Sequence, residues 1–395
     1  MALHHDAAEP PGRVPLRRQE NTNHVPLENA PEPLPKPGVL RIAPYVPGQS
    51  RIEGNPAPIK LSSNESSFGP SPAAIAAFNA AAATLNRYPD GAQTALREAI
   101  AATHGLDAAR IVCGNGSDEL IQMVIRAYAG PGDEVLLSEN GFLMCRIHAL
   151  AQGAEVIVAP ERDFRVDVDA LIARLSPRTR VLCLANPNNP TGTYIPCSEV
   201  RRLHAALPPG LILLLDGAYA EYALEADFDA GASLVESHSN VVMTRTFSKI
   251  YGLPALRIGW AYCPASIIDA LQRIRSPFNT SAPALAAAAA AVRDQPYIQR
   301  IREHNAAWLL RIAKHVTALG IEVLPSVANF YLLRFPEHGR KNAHDAAAFL
   351  IGNGIIPRPV ATQDAGGELR ITVGTPAENE AVLAVLERYM RGDGA

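Results

Sequence analysis

A chain of 395 residues exceeds the size at which one hydrophobic core keeps growing, so two domains are expected. Hydrophobic residues make up 48% and charged residues 19%, with a formal net charge of -3; that is the balance of an ordinary globular enzyme and gives no electrostatic case for nucleic acid or an anionic membrane. The cysteines, Cys113, Cys145, Cys183, Cys197 and Cys263, form no C-x-x-C pair, so neither a disulfide framework nor a zinc site is indicated and a reducing cytoplasm is the expected compartment.

Residues 1–37 carry Pro, Glu, Asn, His and Arg without an apolar core and are read as a disordered tail. Arg17 and Arg18 are followed by no hydrophobic run, so export is discounted. From Ala73 to Leu85 the alanine-rich text, with Ile75 and Phe78 at helical spacing, predicts a helix; "NRYPDGA" breaks it and a helix resumes at Gln93. The runs "RIVCG", "EVLLSE", "AEVIVAP", "RVLCLAN", "LILLLD" and "NVVMTRT" then alternate with helical patterns. Near-continuous Val, Ile and Leu suit strands covered on both faces, so residues 73–283 are expected to form a large α/β domain around a mainly parallel sheet. "ALAAAAAAV", from Ala284 to Val292, falls well short of the roughly 20 residues of a membrane span and reads as a buried helix. Residues 284–395, with strands at "IEVLPS", "NFYLLRF" and "LRITVG" and a helix from Ala343 to Asn353, have the layout of a smaller α+β domain. Residues 38–72 are expected to join it, because the two ends of a chain that traverses a central domain commonly meet.

Ligands of open parallel sheets bind at the carboxyl ends of strands, which directs attention to the residues closing each run. "RIVCGNGSDEL" ends in Gly114 and Gly116 and opens a helix at Ser117 and Asp118, where free N–H groups would suit a phosphate, or where either residue could simply cap the helix. "LCLANPNNPTGTY" supplies Asn186, Asn188 and Asn189. "LILLLDGAYAEY" carries an apolar strand into Asp216, with Tyr219 three residues on, and a carboxylate so placed needs a partner, an arginine or a ligand. "VVMTRTFSKIYGLPALRIGW" gathers Thr246, Ser248, Lys249 and Arg257. Together the ends ask for a phosphate, a ring nitrogen wanting a carboxylate, a ring oxygen wanting an amide and a phenol, and an aldehyde wanting an amine. Pyridoxal phosphate has all of these.

Over about residues 38–390 the order and spacing of "IAPYVPGQS", "KLSSNESSFGPSP", "NRYPDG", "GNGSDE", "NPNNPTG", "TFSK" and "LRITVG" resemble the fold-type I, class I and II pyridoxal-phosphate aminotransferases, and within them the histidinol-phosphate aminotransferase family. The resemblance implies a seven-stranded large domain, a small domain built from both chain ends, and a homodimer with shared active sites. Lys249 would anchor the cofactor and shuttle a proton, Asp216 would face the pyridine nitrogen, and Asn189 and Tyr219 would hold the ring oxygen. Gly116, Ser117, Asp118, Thr246, Ser248 and Arg257 would hold the phosphate; Phe142 would stack on the ring. Tyr88, otherwise read as a core aromatic, would reach the phosphate of the neighbouring subunit. Arg370 would clamp an α-carboxylate, Arg358 and Tyr45 a substrate phosphate, and Asn64 would line the cleft. The implied reaction converts L-histidinol phosphate and 2-oxoglutarate to imidazole acetol phosphate and L-glutamate in histidine biosynthesis. The alternatives are an aromatic amino acid aminotransferase or a threonine-phosphate decarboxylase. Departures from the family pattern stand at Gly217, Cys145, and Ser66 with Ser67.

Overall fold

The apolar runs become strands because their side chains alternate between two buried faces. In the computed structural model, which describes residues 33–335, 341–360 and 367–392, they are β1 (Ile111–Gly114), β2 (Glu134–Ser138), β3 (Glu155–Ala159), β4 (Thr179–Ala185), β5 (Ile212–Asp216) and β6 (Val241–Thr246). β7 (Gly259–Tyr262), only four residues long and hidden behind a Gly- and Pro-containing turn, supplies the seventh. The order is β1-β7-β6-β5-β4-β2-β3, with β7 antiparallel to β1 and β6 and the ladders from β6 to β3 parallel.

Successive residues of β4 and β5 show why the runs lack polar alternation. Leu182, Leu184, Leu213 and Leu215 enter one core, with helices α1 (Pro72–Ala81) and α2 (Thr94–His104); Val181, Cys183, Ile212 and Leu214 enter the other, with α3 (Gly116–Tyr128) and α4 (Leu143–Gln152). Each fully buried aliphatic side chain contributes about 1.5–3 kcal/mol. The alanine run is α5 (Ala282–Arg293), capped by Ser281, which accepts from the Ala284 N–H; its small side chains let it pack closely on α1 and α2. For the same reason α1 turns Ala74 inward and leaves Ile75 and Phe78 47% and 39% exposed.

A second core surrounds a four-stranded sheet of β8 (Glu322–Val323), β9 (Phe330–Arg334), β10 (Arg358–Val360) and β11 (Glu368–Thr372), in the order β8-β9-β11-β10. Helices α7 (Ala343–Gly352) and α8 (Pro376–Arg391) cover it, the latter opened by a Thr375–Glu378 capping box. Ile59 and Lys60 pair in parallel with Ile355 and Ile356, and Leu61 enters this core. In the long helix α6 (Gln295–Ala318), Tyr297, Ile298 and Ile301 belong to the first core, whereas Trp308, Ile312 and Val316 belong to the second. We therefore propose a domain change inside α6, later than residue 283, with residues 59–61 on the side of the smaller core. The expected tail falls, up to residue 32, outside the described residues; residues 33–35 are irregular and exposed. No helix among the described residues is long and apolar enough to cross a membrane.

Candidate active site

The carboxyl ends of β1, β4, β5 and β6 converge on one cleft, lined by Ser117, Asp118, Phe142, Asn189, Asp216, Tyr219, Thr246, Ser248, Lys249 and Arg257, with Ala185, Pro187 and Ala218 between them. Residues scattered over the sequence thus meet as the strand-end argument requires. Lys249, half-buried, directs Nζ to the Ser63 carbonyl at 3.4 Å and lies 5.4 Å from the centroid of the Tyr219 ring. Tyr219 Oη accepts from Asn64 Nδ2 at 2.9 Å. Asn64 is itself fully enclosed in left-handed backbone (φ 56°) and does not line the cleft; it holds the phenol that does.

Asp216, the last residue of β5, is buried and accepts from Thr244 Oγ1 at 3.0 Å. Burial pushes its carboxyl up to about 6; the Asp118 charge adds to the rise, while hydrogen bonds from Thr244 and the Ala218 amide and the charge of Lys249 oppose it. Thr244 was missed in the sequence, although the two-residue period of a strand puts it on the same side of β6 as Thr246.

The phosphate seat is built by close approach. A Cβ on Gly116 would fall 2.7 Å from Arg257 Nη2, and one on Gly259 would fall 2.4 Å from the Ser117 amide nitrogen, so both glycines let the start of α3 lie against β7 and Arg257. Arg257, in left-handed backbone at φ 49°, donates from Nη1 to Ser248 Oγ at 3.3 Å, and Thr246 Oγ1 donates to Ser248 Oγ at 3.1 Å. Neither Arg257 nor Asp216 has an ion-pair partner among the described residues. Tyr88 stands apart: it is 82% exposed, stacks on Phe278 at 4.6 Å and does not line the cleft, so the core reading fails.

A second cavity of about 310 Å³ adjoins the first through Phe142 and Asn189, and Tyr45, Arg358, Arg370 and Glu139 line it. Arg370 donates from Nη1 to Asn189 Oδ1 at 2.5 Å and from Nη2 to the Ser62 carbonyl at 2.9 Å; burial lowers its pKa, and its Nε has no hydrogen-bond partner among the described residues. Because Arg370 occupies Oδ1, the Asn189 amide group is left as the donor available to the cleft. Arg358 donates to the Val46 carbonyl at 3.2 Å. Glu139 carried no signal in the sequence beyond following a strand. A larger cavity of about 720 Å³, beside His204 and His238, presents neither a lysine nor a carboxylate and cannot assemble this chemistry.

A side chain at Gly217 would press on Arg245, which is buried in an ion pair with Glu221 at 2.8 Å. Cys145 is buried, and a hydrogen bond to Cys183 together with burial pushes its thiol well up. Ser67 ties its loop to the Val373 carbonyl at 3.2 Å.

A parallel-sheet domain with a lysine, a buried carboxylate and an anion seat at the strand ends defines an aminotransferase-type site. The chain belongs to the aminotransferase class I and II family, matched over residues 56–386, and is thereby a pyridoxal-phosphate-dependent enzyme. It is 51% identical to a histidinol-phosphate aminotransferase of Paramagnetospirillum magneticum over 91% of this chain and 99% of that one. It is 49% identical to a protein of the same description from Rhodopseudomonas palustris (strain HaA2), over 91% and 98%. Its fold matches the crystal structure of histidinol-phosphate aminotransferase from Sinorhizobium meliloti in complex with pyridoxal-5'-phosphate, with TM-score 0.81, 30% identity, and 90% and 97% of the two chains covered.

The residues fit that cofactor on their own terms. Gly116 and Gly259 let the first turn of α3, whose N–H groups have no acceptor within the helix, lie beside Arg257, which has no ion-pair partner among the described residues, and the raised, buried Asp216 carboxyl would be returned to its ionised form by a protonated ring nitrogen.

Proposed function

We propose that this chain transfers an amino group between L-histidinol phosphate and 2-oxoglutarate, giving imidazole acetol phosphate and L-glutamate in histidine biosynthesis. The observation that carries it is the pair of guanidinium groups, Arg358 and Arg370, facing one cavity that opens onto Lys249 and Asp216. Glutamate brings carboxylates and histidinol phosphate brings a phosphate, and two arginine forks serve both in turn.

Pyridoxal phosphate, when bound, would supply an electron-accepting ring and an aldehyde carbon that takes up the amino group as an amine in one half-reaction and gives it back in the other. Ser117, Thr246, Ser248 and Arg257 would hold its phosphate, Asp216 would keep the ring nitrogen protonated, and Asn189 with Tyr219 would hold the ring oxygen. Phe142 closes one face against water. Lys249 Nζ anchors the cofactor between turnovers and moves the proton from the substrate's Cα. Arg370 orients an α-carboxylate; Arg358 and Tyr45 receive the distal phosphate. We further propose a homodimer that shares its sites, supported by the exposure of Ile75, Phe78, Leu85 and Tyr88, and a cytoplasmic location.

The test is the specificity constant for histidinol phosphate, phenylalanine and threonine phosphate with 2-oxoglutarate as acceptor, together with carbon dioxide release from threonine phosphate. Histidinol phosphate should lead, because an uncharged aromatic forgoes the charge-assisted hydrogen bonds that Arg358 and Tyr45 offer to a phosphate, a penalty on the order of 10–100-fold. Arg358→Ala should depress histidinol phosphate far more than phenylalanine. Phenylalanine used equally well, or carbon dioxide released at a comparable rate, would hand the site to one of the alternatives.

A further inference from the structure

The first turn of α3 carries two acids, Asp118 and Glu119, at the place where the cofactor's dianionic phosphate is to sit. Acids are favoured at a helix N-terminus, but there they compete with a phosphate for the same positive end and repel it. Glu119 is drawn away: its Oε2 accepts from the Asn115 N–H at 2.5 Å and from Asn279 Nδ2 at 2.8 Å. Asp118 remains in the cleft lining with a side chain 38% exposed, and its Oδ1 meets His148 Nε2 at 2.9 Å. His148 comes from α4, on the same buried face as Cys145 and Ala149, and is itself buried. An ionised carboxylate only accepts, so Nε2 carries the hydrogen of this bond.

We propose that His148 is a positioning residue: by donating to Oδ1 it holds the Asp118 carboxylate against α4 and back from the phosphate seat, allowing the start of α3 to keep an acid and still receive a dianion. The proposal rests on the cofactor reading above. Two other groups feel the same charge. Asp118 helps raise both Asp216 and the Cys145 thiol, so an uncompensated Asp118 would also work against an ionised Asp216. Lys249 and Arg257 line the cleft too, but neither hydrogen-bonds Asp118 among the described residues.

The experiment measures binding of pyridoxamine phosphate and of pyridoxamine to the cofactor-free protein by calorimetry, so that neither turnover nor covalent attachment enters. His148→Leu should weaken the phosphate ester about tenfold and leave pyridoxamine within about twofold, because the carboxylate in the cleft lining is then free to turn toward the phosphate seat. His148→Gln, which keeps a donor, should bind nearly as the natural protein does. The double variant Asp118→Asn with His148→Leu should recover most of the loss, since no charge is left to hold back. Equal losses on both compounds, or no recovery in the double variant, would mean that His148 merely packs. Should His148→Leu not fold, Asp118→Asn alone decides, and phosphate-ester binding weaker than natural would overturn the proposal. A natural protein that binds neither compound would overturn the cofactor reading and this proposal with it.

Discussion

Lys249 is ordinary in isolation and exceptional in its setting. A half-buried lysine next to the Tyr219 ring, near a buried carboxylate and with a backbone carbonyl as its hydrogen-bond acceptor, has no carboxylate ion pair among the described residues to retire into. Its amine is therefore available to an aldehyde. Lys249→Ala should remove the absorbance band that depends on the covalent link between lysine and cofactor and lower turnover by about 10²–10⁴-fold, while weak phosphate-dependent binding persists through Arg257 and Ser248. Spectra and single-turnover rates check this, and a variant that retained both signals would move the catalytic role elsewhere.

Between elements, the decisive contact is that of α3 with β7. Gly259 permits it, because any Cβ there would stand 2.4 Å from the Ser117 nitrogen, a clash with backbone that no rotamer relieves. Gly259→Ala should lift the helix start from its seat, cost about 1–3 kcal/mol of stability and weaken pyridoxal phosphate binding, both readable by thermal unfolding with and without cofactor. A cofactor-induced stabilisation equal to that of the natural protein would show the seat undisturbed. The last turn of α2 offers a pH test. His104 stacks on Trp260 at 5.5 Å, and burial, with the nearby Arg245 charge second, lowers its pKa from 6.5 to about 3. The unfolded chain binds a proton that the folded one refuses, so this stability is fully present above pH 6.5 and is lost as pH falls toward 3. His104→Phe should remove up to about 2 kcal/mol of the stability difference between pH 7.5 and pH 5, as measured by denaturant unfolding. An unchanged difference would assign the acid sensitivity to other groups.

In the molecule as a whole, Tyr88 has little to do in its own chain. Its ring is exposed and stacked on Phe278, next to a helix that also exposes Ile75 and Phe78. That pattern suits a surface buried against a second copy, with Tyr88 reaching a neighbour's cofactor site. Mixing a Tyr88→Ala protein with a Lys249→Ala protein should restore activity in hybrid dimers, each having one wholly natural site. Sedimentation analysis provides the companion measurement: a monomer fully active at assay concentration would rule out shared sites.

Strands β1 to β6, the alanine helix and the positions of Lys249, Asp216 and Arg257 were legible in the linear text, because they rest on short-range patterns: apolar runs, turn residues, and chemistry placed where a run ends. β7 was not, since four residues flanked by a turn carry too little periodicity. Nor were the partners legible. Asn64 meets Tyr219 across 155 residues, Arg370 meets Asn189 across 181, and His148 meets Asp118 across 30. Local sequence specifies which groups stand at a strand end, whereas strand order and helix packing specify which of them face one another. Those depend on long-range contacts that leave no repeat in the chain.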